Sequence, residues 1–118
     1  MRDHTKHRAF ELADEVALLV YRTTASFPRE ELYGLTSQMR RAAVSTPSNI
    51  VEGCARESQA DYLRFLNITF GSLRELHYQL SLSKRLGFLA NKDFSLIEPK
   101  IIETEKVLTG LIKSLKDT

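Results

Sequence analysis

Residues 58–86 read SQADYLRFLNITFGSLRELHYQLSLSKRL, a run without proline, with one internal glycine, closed by Gly87. Apolar residues recur in it every three or four positions, so Leu63, Leu66, Phe70, Leu73, Leu76 and Leu80 fall on one stripe of a helix. Ser58 opens the segment as an N-cap, and Asp61 suits the positive end of the first turn. At 1.5 Å per residue the helix would reach roughly 40 Å. Phe65, Ile68, Leu82 and Leu86 widen the stripe to an arc of about 220°, where an ordinary surface helix needs little more than about 100°. So wide an apolar arc calls for more than one neighbour. A helix central in its own bundle meets that need, and so does a second subunit. Gly71 favours the subunit, because a glycine inside a helix costs about 0.5–1 kcal/mol relative to alanine and close backbone approach offsets it. Phe65, Ile68, Gly71, Leu82 and Leu86 are therefore the candidate oligomer-interface residues.

Three further helical segments flank this one. Residues 33–54 place Leu35, Met39, Ala42, Ala43, Thr46, Ile50 and Gly53 on a side rich in small residues, which lets a neighbouring backbone come close. Pro47 predicts a kink there, with Ser45 and Ser48 able to satisfy freed backbone groups, and Gly53 is the expected terminator. Residues 9–26 present Ala9, Leu12, Val16, Leu19, Val20 and Thr23 on one face until Phe27-Pro28 stops the helix. Residues 92–116 form the last segment, with Asn91 as expected N-cap and Pro99 either bending it or detaching its first turns. The short connections between long helices predict an all-α, antiparallel up-down-up-down four-helix bundle, a single domain over residues 1–118.

Composition excludes more than it assigns. The chain has 118 residues, 42% hydrophobic and 27% charged, which suffices for one core and not for two domains. One cysteine forms no internal disulfide, and no Cys/His cluster has zinc spacing. The charged N-terminal stretch has no apolar core of a secretory signal, and no apolar run is long enough to span a membrane, so a cytoplasmic setting and no membrane partner are expected. With 17 Lys+Arg against 15 Asp+Glu the net charge is only +2.

Candidate chemistry is sparse. Arg64, Asn67, Arg74, Tyr78 and Arg85 occupy the remaining arc of the long helix, and Arg74, Tyr78 and Arg85 lie within about 40° of one another. Such a stripe suits phosphates, with Tyr78 offering a face to a base. It equally suits a solvated face whose arginines pair with carboxylates. Arg40, Arg41 and Arg56 add basic positions, so Arg40, Arg41, Arg56, Arg64, Arg74, Tyr78 and Arg85 are the candidate nucleic-acid contacts. His4 and His7 lie in an expected frayed terminus without an acidic third ligand, and His77 reads as a packed histidine. Cys54 reads as a buried thiol without a base. No Gly-x-Ser-x-Gly or glycine-rich phosphate loop occurs, and the Glu-x-x-His spacing of di-iron bundles is missing, so neither catalytic residues nor a metal or cofactor is assigned.

The strings YGLTSQMRRAAVSTPSNIVEGCARES at residues 33–58, FLNITFGSLRELHYQLSLSKRLGFL at 65–89 and LTGLIKSLK at 108–116 resemble the 23S rRNA intervening-sequence protein family, also called S23-like four-helix bundle proteins. The resemblance covers about residues 10–116 and implies a cytosolic bacterial four-helix bundle that assembles into a ring-like homopentamer. It carries no catalytic residues. The family takes its name from a genomic location within 23S rRNA genes, not from an activity. A related branch, the accessory proteins of diversity-generating retroelements, resembles basic pentameric barrels that bind nucleic acid and a reverse transcriptase. Two departures stand out: Phe10 where members commonly have Trp, and Pro99 within the start of the last helix. Two functional readings follow. One is a non-enzymatic, homo-oligomeric adaptor associated with RNA or a ribonucleoprotein; the other is a protein-binding scaffold without nucleic-acid contact.

Overall fold

The computed structural model describes residues 2–118. Four long helices account for most of it: α1 (Arg8–Thr24), α2 (Leu35–Cys54), α3 (Gln59–Arg85) and α4 (Asn91–Lys116). Each packs on the next, and α4 returns against α1, while the backbones of the two diagonal pairs stay apart. The molecule is 45 Å long and 20–23 Å across, so α3 alone runs nearly its full length.

Local sequence explains where each helix begins and ends. His7 caps α1, its Nδ1 accepting from the Phe10 N–H, so the expected frayed terminus is in fact ordered around a capping side chain. Helix α2 starts two residues later than periodicity suggested. Glu31 reaches forward to accept the Leu35 N–H at 3.1 Å, and Gly34 has non-helical dihedrals, which leaves Tyr33 outside the helix. Ser58 caps α3 as expected, accepting from the Asp61 N–H at 3.1 Å. At the other end Gly87 adopts φ +81°, and the Phe88 N–H bonds back to Ser83 O while the Gly87 N–H bonds to Lys84 O. That pairing closes a helix through one left-handed residue, which glycine adopts without a Cβ clash. Asn91 is not the N-cap of α4. Ala90 holds that extended position without a side-chain bond, and Asp93 supplies the negative charge of the first turn.

Neither internal proline interrupts its helix. Pro47 is buried within a continuous α2. Pro99 lies on the exposed side of a continuous α4, where a carbonyl deprived of its N–H partner is least costly. The first turns of α4 are therefore not a separate element.

The core draws on the predicted stripes of the first three helices and on a buried face of α4. Val16 and Val20 of α1, Met39 and Ile50 of α2, Leu66, Leu73, Leu76 and Leu80 of α3, and Ile97, Ile101 and Leu108 of α4 are all fully buried. The widest contact joins α2 to α3, and it depends on small residues. Gly53 of α2 is buried against Phe65 and Tyr62 of α3, and Ala42 and Ala43 of α2 are buried too. Thr69 Oγ1 of α3 donates directly to the Thr46 carbonyl of α2 at 3.2 Å, and the Ser45 and Ser72 hydroxyls meet at 2.9 Å. Gly53 is thus a packing residue and not the terminator; α2 continues past it through Cys54. A Cβ at Gly53 would sit 2.8 Å from the Phe65 Cβ, an atom fixed to the facing backbone. Gly71 and Gly110 have nothing within 4 Å of the same position.

Gly53→Ala should therefore destabilise the bundle by about 1–3 kcal/mol through overpacking. Gly110→Ala, inside α4 with open space around it, should stabilise by about 0.5–1 kcal/mol through helix propensity. Urea unfolding of the two variants beside the parent chain reads both signs, and a neutral Gly53→Ala would contradict the close α2–α3 approach.

Candidate functional site

The seven candidate nucleic-acid contacts do not converge on one patch. Arg40 is tied inward: its Nε donates to Thr24 Oγ1 at 2.9 Å and its guanidinium lies 4.8 Å from the Tyr21 ring centre. Arg41 bridges to Glu75 of α3 at 2.8 Å and to Gln38. Arg56 and Arg64 flank the Phe65 ring at 4.7 and 4.6 Å, and each has a carboxylate neighbour, Glu52 and Asp61 respectively. Arg74 donates to Glu105 of α4 at 3.1 Å. Tyr78 and Arg85 face solvent, with Arg85 Nε donating only to the Ser81 carbonyl. Arg64 and Arg85 stand 21 residues apart on α3, about 30 Å at the helical rise.

The five candidate interface residues also separate. Phe65 is only 6% exposed, covered within its own chain by Gly53, Arg56 and Arg64. Leu82 is half-buried. Ile68 and Leu86 remain 41% and 54% exposed, and Gly71 faces open space. Two helix neighbours, α2 and α4, absorb most of the apolar arc of α3, and Ile68 and Leu86 are what they leave uncovered.

A polar cluster that periodicity did not reveal joins α3 to α4. His77 Nδ1 lies 2.9 Å from Glu105 Oε2, and its Nε2 lies 3.1 Å from Glu98 Oε2. Arg74 reaches the same Glu105 oxygen from one turn away, and Glu105 is itself buried. A neutral imidazole has one N–H, so only the imidazolium donates to both carboxylates. Burial opposes that charge, but the hydrogen bonds to Glu105 and Glu98 and their charges outweigh it, holding the ring protonated above the usual histidine range. His77 is therefore a charged strut between helices as well as a packed residue. The signal lay in the pairing of Arg74 with His77, three apart, and of Glu98 with Glu105, seven apart, on faces that only tertiary structure opposes.

The other buried titratable groups are inert. His7 Nε2 bonds to Tyr62 Oη at 2.8 Å, and burial, with His4 nearby, favours its neutral form. Burial also raises the Cys54 thiol, which keeps it from acting as a thiolate nucleophile. Among the described residues no group of three or more His, Cys, Asp or Glu side chains is placed to hold a metal ion. No helix there is long and apolar enough to cross a membrane.

The class these features define is an all-α four-helix protein in which no catalytic function is indicated. The family model of the 23S rRNA-intervening sequence protein matches residues 5–110, and the chain belongs to that family. A crystal structure from Bacteroides thetaiotaomicron, of a protein with unknown function from the S23 ribosomal protein family, has the same fold. It superposes with a TM-score of 0.80 at 24% identity, covering 89% of this chain and 95% of that one. No curated protein matches the chain.

The His77 strut has a testable pH dependence. Because its native proton affinity exceeds the ordinary value of 6.5, its contribution to stability is complete below that pH and is lost as pH rises through the raised native value. The thermal midpoint of His77→Gln should therefore fall furthest below the parent in mild acid, with the gap closing toward alkaline pH. His7, perturbed in the opposite direction, is present in both proteins and cancels. A gap that stays constant with pH would show that His77 carries no folding-linked proton.

Proposed function

We propose that this protein is a non-enzymatic adaptor that associates with RNA or a ribonucleoprotein in the cytoplasm. In this reading it works as a homo-oligomer of antiparallel up-down-up-down bundles, a ring of five by family resemblance. The observation that carries the reading is the outward midline of α3, where Arg64, Gly71, Tyr78 and Arg85 recur every seven residues and all four are exposed. Seven residues bring a helix back to within about 20° of the same direction, so the four make one line. It offers cations, an aromatic face and a position at which another backbone meets no side chain.

Several features support the finer parts. Cross-helix partners run in opposite order along neighbouring helices: Arg41 meets Glu75 and Thr46 meets Thr69, while Arg74 meets Glu105 and Gln59 meets Leu115. That order is the one an antiparallel bundle produces. The uncovered Ile68 and Leu86 favour assembly. A ring of five would carry about +10 in all, enough to steer an anionic partner.

The scaffold reading draws on exposed apolar side chains of the other three helices. Leu18, Val44 and Leu96 are large, apolar and each more than two-fifths exposed, as anchors for a partner helix would be. Nuclease treatment separates the two, because it releases co-purified partners only from an RNA-associated adaptor.

A structured RNA should bind at low salt and weaken steeply toward physiological salt, as counterion release requires. Arg64→Gln with Arg85→Gln should reduce both affinity and salt slope; these are better probes than Arg74, whose loss would strand buried Glu105. No binding at either salt would overturn the adaptor reading. Light scattering should give a mass several times the 13.5 kDa of one chain, and Ile68→Asp with Leu86→Asp should return it to one. A parent chain that is monomeric at micromolar concentration would refute assembly.

A further inference from the structure

The lysines and arginines differ sharply in whether a carboxylate engages them. On the flanks Arg8, Arg41, Arg74 and Lys100 are ion-paired between helices, with exposed Lys106 the unpaired exception. At the end of the bundle that carries the α1–α2 and α3–α4 links, Arg22, Arg29, Lys84, Arg85 and Lys92 are exposed. None of these five forms an ion pair among the described residues. Lys84 instead lies 4.3 Å from the Phe94 ring centre. The two links are physically joined, since the Phe27 ring packs on the Phe88 ring with centres 6.0 Å apart. Arg29 follows Phe27 by two residues and Arg85 precedes Phe88 by three, so each link carries an exposed cation close in sequence to that contact. Of the acids at this end, Glu31 is occupied capping α2, leaving Glu30 and Asp93.

The tyrosines sort the same way. Tyr62 is buried at the opposite end, whereas Tyr21, Tyr33 and Tyr78 are exposed toward the link end. Tyr33 is 91% exposed, held outside α2 by the Glu31 cap. Its ring lines a shallow depression with Tyr21, Leu32, Thr36, Ser37, Arg40 and the ion-paired Arg41. The opposite end also has unpaired lysines, Lys6, Lys113 and Lys116, but it carries Asp3, Glu52, Glu57, Asp61 and Asp117 and no exposed aromatic ring. Unpaired cations and bare aromatic faces coincide at one end alone.

We propose that this link end is the RNA-contacting surface, and that it binds unpaired nucleotides, with Arg22, Arg29, Arg85 and the nearby lysines on phosphates and a base stacked on Tyr33. The inference rests on the RNA-adaptor reading and narrows it from the α3 flank to one end of the bundle. Unpaired bases are specified because a stacking ring needs an exposed base face, which a duplex interior withholds. A cationic surface without Tyr33 would serve single and double strands alike.

The test is fluorescence anisotropy of the full chain with a labelled RNA hairpin bearing a large unpaired loop, beside a blunt duplex of equal length. Arg22→Gln, Arg29→Gln and Arg85→Gln together should weaken hairpin binding at least about tenfold and lower the salt slope by about 2, from three lost contacts at roughly 0.7 each. Tyr33→Ala should weaken the hairpin between about 5-fold and 150-fold, the range for one stacked base, and leave the duplex unchanged. All four positions are exposed, and circular dichroism confirms that each variant keeps its helices. Arg64→Gln with Lys106→Gln on the flank, both exposed away from the links, should change hairpin affinity little. If the flank variant loses binding while the link-end triple keeps it, the inference is overturned and the adaptor reading survives. If Tyr33→Ala is silent and heparin competes as well as unlabelled hairpin, the surface is a general polyanion surface and the inference fails. If the parent chain binds neither RNA at low salt, both readings fall together.

Discussion

Everything in this bundle is organised around how closely α2 and α3 approach. The Gly53 position opposite Phe65 leaves no room for a Cβ, and a threonine hydroxyl on α3 reaches the backbone of α2 directly. Interiors pack at crystal-like density and do not stretch to absorb an extra methylene. That contact fixes the rotation of α3 about its own axis. With α3 so turned, Leu66, Leu73, Leu76 and Leu80 point into the core, His77 and Arg74 point to α4, and Tyr78 and Arg85 are left to solvent.

What could be read from the sequence follows from what periodicity encodes. The four helices, the Ser58 cap and the small-residue face of α2 are local or one-dimensional signals, and the structure reproduces them within two residues or so at the ends. Misreadings arose where a distant group decides. Gly53 resembled a terminator because a glycine near a helix end commonly is one; its actual constraint is Phe65, twelve residues away. His7 resembled part of a loose terminus, yet its ring caps α1 and bonds Tyr62. Phe65 belonged to the apolar arc by angle, but Gly53, Arg56 and Arg64 enclose it in its own chain. The basic stripe was visible as composition; which arginines are free to meet a partner depended on carboxylates from other helices.

The Arg74–Glu105–His77–Glu98 chain illustrates that last point in energetic terms. Burying Glu105 alone would be prohibitive, and two cations from α3 make it tolerable. The same arrangement removes Arg74 from the pool of groups available to a ligand. Arg8, Arg41, Arg74 and Lys100 on the flanks tie neighbouring helices together, whereas Arg22, Arg29, Lys84, Arg85 and Lys92 at the linked end engage no carboxylate among the described residues. Charge near zero overall thus conceals an uneven division between structural and uncommitted positive groups.

The seam between α1 and α4 has a further implication for how the chain reaches its final state. Its polar ties, Arg8 to Glu103 and Lys100 to Glu15, span 95 and 85 residues of sequence. Contacts between consecutive helices need only a short loop to close, whereas this seam needs nearly the entire polypeptide to exist. During synthesis three helices are complete before the fourth emerges, and Val16, Val20, Leu73 and Leu76 must wait with one flank of the core open. The last helix is the lid of the core, and the exposed ion pairs along its edge, each contributing at most about 1 kcal/mol, register its arrival without greatly strengthening it.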